Sequence, residues 1–162
     1  MQFHVREIIT GVTVTPGVTL ISLRDLPTGS TVPGQLFSLL AEDGIHVDMI
    51  SLSARGVSGL RTLRFSAADE DLPVLLASIG KLRTLGELLP EVDTGNCRIT
   101  LSGEKMKFCC GTAAFVFGVF ADFGIDLKLI TTSETRISCL VDGSRYSAAL
   151  EVLERGFGIK AV

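Results

Sequence analysis

The amino-acid sequence predicts an α+β protein made of two small copies of one unit, and three observations carry that prediction. The first is an internal duplication. Leu36–Ser53 reads LFSLLAEDGIHVDMISLS and Val116–Ser133 reads VFGVFADFGIDLKLITTS, about eighty residues apart. At constant offset Phe37, Ala41, Gly44, Ile45, Ile50 and Ser53 meet Phe117, Ala121, Gly124, Ile125, Ile130 and Ser133. The second is a change of period: each copy begins with helical spacing of apolar residues, stops at a glycine and continues in β-type alternation. The third is length. A chain of 162 residues divides into two units of about eighty, each with a thin core that gains by packing against the other copy or a second chain.

In the first copy, Val18–Leu23 alternates apolar residues with Thr and Ser and predicts a strand, followed by the turn-rich loop Leu26–Thr31. A helix is expected from about Val32 to Asp43, stopped by Gly44. Ile45–Ser53 then reads as a strand through Ile45, Val47 and Met49. Ala54–Gly59 is a turn and Leu60–Phe65 a third strand. Asp69–Leu85 is a second helix whose acidic start suits the positive end of the helix dipole, and Leu88–Val92 a short closing strand. This β-α-β-β-α-β order is the split βαβ, ferredoxin-like pattern, an antiparallel sheet with both helices on one face.

The second copy repeats the order through Cys97–Ser102, Thr112–Phe123, Ile125–Ser133, Arg136–Val141 and Ser144–Arg155, which leaves only Gly158–Val162 for a fourth strand. The N-terminus meanwhile carries a surplus β-like segment, His4–Val14. The expectation is a first unit over residues 15–94 and a second over 95–162 completed by an N-terminal strand within 3–14, so that the first unit is inserted in the second.

Composition excludes several function classes. A net charge of −3 with singly scattered Lys and Arg offers no electrostatic footprint for nucleic acid. Mean hydropathy is +0.44, yet no apolar run approaches the roughly twenty residues of a membrane helix. The start MQFHVREIITGV lacks a signal-peptide pattern, so the cytoplasm is the expected compartment, and four cysteines without a Cys-x-x-Cys pair fit reduced thiols. The two histidines, His4 and His46, have neither zinc spacing nor a cysteine close in sequence, and no metal or cofactor is implied. Cys109–Cys110–Gly111 precedes a predicted helix, where a dipole stabilises a thiolate; packed or loop thiols are the alternative. Phe115, Phe117, Phe120 and Phe123 spread round more than one helical face, as core plus interface residues do.

Two stretches resemble the paired ACT domains of aspartokinase regulatory regions. LPTGSTVPGQLF at Leu26–Phe37 is similar to that family's L-P-D-R-P-G-V-A-A-K-I-F, with Leu26, Pro27, Val32 and Phe37 in equivalent places. GIDLKLITTSETRIS at Gly124–Ser138 resembles G-I-N-I-E-M-I-S-T-S-E-I-K-I-S, and Ile9–Val12 resembles the segment leading into these domains. The resemblance implies two ACT-type units and amino-acid-responsive allosteric control of amino-acid biosynthesis, with lysine or threonine as effector. It also implies ligand sites where ACT units meet, a homodimer, and an aspartokinase catalytic subunit as a further partner. With no Walker-type or G-x-G-x-x-G nucleotide motif in the chain, it implies no kinase activity of its own.

Backbone N–H groups at a helix start hold a ligand carboxylate, and these belong to Ser30–Gly34 in the first copy and Cys110–Ala113 in the second. The ligand residues expected are Asp25, Thr28, Ser30, Thr31, Val32 and Gly34 with Asp126, Leu127, Ser133 and Glu134. Thr28 stands where the family has an Asp, Pro33 where a residue donates, and Leu52 where some members use Gln. Those three substitutions motivate the alternative, a structural dimerisation module or free-standing paralogue whose effector is lost or changed.

Overall fold

The computed structural model describes residues 8–27, 29–53, 59–82, 89–152 and 155. In chain order the elements are β1 (Gly11–Pro27), α1 (Val32–Glu42), β2 (Ile50–Leu52), β3 (Leu60–Ala68), α2 (Leu72–Leu82), β4 (Pro90–Ser102), α3 (Thr112–Asp122), β5 (Leu129–Thr132), β6 (Arg136–Asp142) and α4 (Tyr146–Val152). Short 3-10 turns, Asp69–Asp71, Glu104–Phe108 and Gly143–Arg145, precede α2, α3 and α4. The chain divides into two compact units, Gly17–Gly95 and Met1–Pro16 with Asn96–Val162. β1 and β4 each contribute one half to each unit.

Within Gly17–Gly95 the strand order is β2-β3-β1-β4. β1 and β3 are antiparallel from Val18↔Ala68 to Leu23↔Leu63, and β2 pairs antiparallel with β3 through Ile50↔Phe65. Period-2 alternation turns Ile21 and Leu23 of β1 and Leu63, Phe65 and Ala67 of β3 to one face, where they meet Leu36 and Leu40 of α1 and Leu75, Ile79 and Leu82 of α2. Phe37 closes edge-on against Phe65, centroids 5.6 Å apart. Asp69 ties the two ends of this unit together: it accepts from Thr19 Oγ1 at 2.5 Å and from the Gly95 N–H at 3.2 Å.

In the other unit the order is β1-β4-β6-β5. β4 and β6 pair antiparallel from Asn96↔Asp142 to Ser102↔Arg136, and β5 joins β6 through Ile130↔Cys139. The N-terminal segment belongs here: the Thr10 N–H donates to Ser102 O at 2.8 Å, and Ile8, Ile9 and Val12 are buried with Ile99, Leu101, Val116, Phe120, Ile137 and Cys139. Phe120 is fully buried, Phe115 and Phe117 pack against this core, and Phe123 is exposed.

Both copies end their first helix in the same way. After α1 the Gly44 N–H returns to Ala41 O and the Ile45 N–H to Leu40 O; after α3 the Gly124 N–H returns to Ala121 O and the Ile125 N–H to Phe120 O. This is a Schellman cap with the glycine in the left-handed region, φ 74° at Gly44 and 61° at Gly124, and the following isoleucine buried in its unit's core.

Several expected boundaries move. Of Ile45–Ser53 only Ile50–Leu52 forms strand, because Ile45 caps the helix; Met49, though not in a strand, meets Ser66. The helix expected from Asp69 begins at Leu72 after a 3-10 turn. The strands expected at Val18–Leu23 and near the N-terminus are one strand, β1, and Cys97–Ser102 is the second half of β4. Nearly all of the turn Ala54–Gly59, and all of Gly158–Val162, lie outside the described residues.

Because nothing lies within 4 Å of a Cβ built on either glycine, the left-handed backbone alone sets the cost of replacing it. Gly44→Ala and Gly124→Ala are each expected to lower stability by about 1–2 kcal/mol. Urea denaturation followed by circular dichroism measures this; unchanged midpoints would remove the caps from the account of the fold.

Candidate functional site

In the Gly17–Gly95 unit the predicted residues cluster where β1 runs into α1. The register between β1 and β3 slips between Leu23 and Leu26, so that Arg24 and Asp25 bulge opposite a single residue of β3. Asp25 is exposed with φ 59°, a conformation an aspartate tolerates. Arg24 beside it grips Glu91 through Nε at 2.6 Å and Nη2 at 2.8 Å, a forked pair that raises the Arg24 pKa and lowers that of Glu91. Both side chains are about half exposed, so the pair orients the bulge more than it stabilises the fold.

Past the bulge the Ser30 N–H closes a turn onto Pro27 O, and Ser30 Oγ accepts the Val32 N–H at 3.2 Å. Thr31 is the N-cap by position; its carbonyl receives the Gln35 N–H and its side chain makes no capping bond. Pro33 has no N–H, and that of Gly34 has no partner among the described residues. Thr28 lies outside the described residues, and Val32 is buried in the core.

Two hollows flank this helix start. An open groove of about 860 Å³ runs along α1 past Ser30, Thr31, Gly34, Gln35 and Ser38 to Leu39 and Leu82. A smaller, more enclosed cavity of about 40 Å³ lies between the Leu26–Ser30 loop, Pro33, Leu52 and Arg61. Arg61, opposite Leu26 in the β1–β3 ladder, was not among the expected residues. A single arginine in a strand carries no pattern that marks it.

In the other unit the corresponding loop is built differently. The 3-10 turn Glu104–Phe108 buries Met106 and exposes Phe108, with Lys107 Nζ 5.1 Å from its ring centre. Gly111, in the left-handed region, caps α3. Cys109 packs partly against the core and Cys110 is exposed. Burial pushes the thiols of Cys97 and Cys139 up to about 11 and about 12. Among the described residues no three His, Cys, Asp or Glu side chains are grouped to hold a metal ion.

Asp126 is exposed and outside any strand, and Leu127 packs against the core. Lys128 follows, its N–H on Leu140 O and its ammonium on Asn96 Oδ1 at 2.6 Å and Asp142 Oδ2 at 3.4 Å. Ser133 and Glu134 lie beyond the other end of β5, in the turn closed by the Ser133 N–H on Arg136 O. β5 thus separates Asp126 and Leu127 from Ser133 and Glu134, and this unit does not gather the four at one point.

The thiols should react in order of exposure. Under native conditions a disulfide reagent is expected to modify the exposed Cys110 and to leave Cys97 and Cys139 intact until unfolding; native modification of Cys139 would contradict its burial. The Ser144 hydroxyl and N–H, then Lys128, pull the Asp142 carboxyl from the ordinary 3.8 down to about 2. A depressed folded-state pKa stabilises above the ordinary value and is lost as protons return, so this contribution disappears as pH falls from about 4 towards 2. Asp142→Asn should flatten the stability profile in that window, and an unchanged slope would refute the assignment.

Residues 99–157 match the ACT domain family model. The chain is 31% identical to an aspartokinase of Geobacillus stearothermophilus over 159 residues, 98% of this chain and 38% of that protein. The fold matches the ligand-free regulatory subunit of aspartate kinase from Thermus thermophilus at TM-score 0.85 and 23% identity, covering 93% of this chain and 99% of that one. It also matches aspartate kinase from Synechocystis at TM-score 0.89 and 23% identity, over 99% of this chain and 28% of that one. The chain spans little more than a third of the length of the Geobacillus aspartokinase. The ACT match thus falls inside one unit, and homology to the aspartokinases runs along nearly the whole sequence.

Proposed function

We propose that the chain is a non-catalytic regulatory module that binds an amino acid and biases the activity of an aspartokinase. The observation that carries this is extent: 31% identity runs through 98% of the chain and falls on just 38% of the aspartokinase. Size supports it too, since 99% of the Thermus regulatory subunit is covered. The two units, each with four strands in β2-β3-β1-β4 or β1-β4-β6-β5 order and helices in its core, support two ferredoxin-like ACT units in tandem. In this proposal the second unit takes its fourth strand from the N-terminus.

The effector is lysine or threonine, held by Asp25, Ser30, Thr31, Val32 and Gly34, with Thr28, on one unit and by one end of β5 on another, either Asp126 and Leu127 or Ser133 and Glu134. The functional assembly is a cytoplasmic homodimer, with an aspartokinase catalytic subunit as its further partner. A ligand that favours one arrangement of the units changes their equilibrium by its difference in affinity, which is how a module without chemistry regulates. The Gly34 N–H, without a partner among the described residues, and the groove beside it support the first half of the site. Against it stand Pro33, which has no donor, and Leu52, which offers a wall and no hydrogen bond. They favour a second reading, a dimerisation module whose effector is lost or changed.

A thermal-shift screen of the amino acids separates the two. Lysine or threonine at a hundred times its dissociation constant adds about 2.7 kcal/mol of apparent stability; no shift with any amino acid at millimolar concentration leaves the dimerisation reading. Sedimentation at micromolar concentration is expected to give twice the 17.3 kDa of one chain, and a clean monomer with and without amino acids refutes the assembly.

A further inference from the structure

Among the described residues Arg61 is the one charged side chain lining the small cavity beside Leu26, Pro27, Gly29 and Ser30. Its Nε is buried and has no hydrogen-bond partner, and no carboxylate among the described residues pairs with the guanidinium. A buried arginine N–H without an acceptor is costly, so an acceptor that reaches the guanidinium is favoured. The cavity walls beside it are the apolar Leu26, Pro27, Pro33 and Leu52, so a charge-assisted hydrogen bond formed there is weakly screened. Ser30 offers a second donor, because its oxygen accepts the Val32 N–H and its own hydrogen remains available.

The volume limits what enters. At about 40 Å³ the cavity exceeds the roughly 10–15 Å³ that one water requires, and three heavy atoms fill it. That is the size of a carboxylate, whose planar pair of oxygens also matches the guanidinium fork. A whole amino acid is larger than that. Ser30 stands on the wall of both this cavity and the open groove along α1, so a molecule with its carboxylate at Arg61 has room for its remainder outside.

We propose that Arg61, with the Ser30 hydroxyl, is the carboxylate anchor of the ligand bound by the Gly17–Gly95 unit. The inference rests on the amino-acid-binding reading above and adds to it the group that recognises the ligand's negative end. The carboxylate has two possible sources, the α-carboxylate shared by all amino acids and the side-chain carboxylate of an acidic one.

The test uses the full chain and the arginine Nε–H region of its 1H–15N spectrum, with the Arg61 signal assigned by its loss in Arg61→Gln. Lysine, threonine, aspartate, acetate, threoninamide and inorganic phosphate are titrated, and affinities for wild type and Arg61→Gln are compared by calorimetry. Free carboxylates are expected to move the Arg61 signal more than threoninamide or phosphate does, and Arg61→Gln to weaken amino-acid binding by at least about tenfold. Equal responses to lysine, threonine and aspartate assign the α-carboxylate; a response to aspartate and acetate without threonine assigns the side-chain group. Binding of equal strength to wild type and Arg61→Gln overturns the anchor and leaves the sensor role standing. A signal that acetate moves while no amino acid binds supports the anchor and overturns the sensor role. If no carboxylate moves the signal the inference fails, a result read on wild-type protein and independent of whether the variant folds.

Discussion

The fold depends above all on how each repeat's helix turns into its next strand. A glycine in the left-handed region lets two N–H groups return to the last turn, and the isoleucine after it is forced down beside the residue whose carbonyl it has just bonded. Once Ile45 lies against the core with Leu40, and Ile125 with Phe120, the chain has no freedom in where it re-enters the sheet. The backbone shows the consequence in duplicate: Asp48 donates to Ser66 and Ser53 to Thr62 in one unit, Lys128 to Leu140 and Ser133 to Arg136 in the other. Helix direction, strand register and the position of the β1–α1 loop follow from one small turn.

What the two copies do with their loops is different. Ser30 ends a short turn and spends its hydroxyl oxygen on the helix start, leaving a cavity behind it. The second loop is longer and winds into a 3-10 turn whose Met106 plugs inward. Duplication therefore preserved the frame and let the loops diverge, as expected where packing constrains the core and only local chemistry constrains the connection. The buried thiols of Cys97 and Cys139 belong to the frame, raised by desolvation and chemically quiet.

The duplication, the helices and the alternating strands were legible because each leaves a periodic trace: Gly44 and Gly124 stop two helices of matching pattern, and Leu63, Phe65 and Ala67 alternate as a half-buried strand must. Alternation reports burial and not pairing, which is why Ile45–Ser53 looked like one strand although only three of its residues join the ladder. The expected segments His4–Val14 and Val18–Leu23 leave Pro16 and Gly17 between them, yet β1 runs through both. In the site, Ser30, Thr31 and Gly34 were visible as helix-start chemistry. Arg61 was not, because its significance comes from a cavity assembled by β1, α1, β2 and β3 together.

Sharing β1 between units has a consequence for the order in which the molecule can assemble on the ribosome. The segment Gly17–Gly95 is uninterrupted in sequence, so it can collapse as soon as it has emerged. Ile9 and Thr10, made before that segment, cannot: Thr10 bonds to Ser102, and Ile9 is buried with Ile137 and Cys139, which are translated far later. Until those partners are made, the N-terminal half of β1, with Val12, and the segment before it, with Ile8 and Ile9, stay unpaired and exposed. This segment is thus made before the Gly17–Gly95 unit and placed after it, and the nascent protein is open to mispairing there for the whole of that interval.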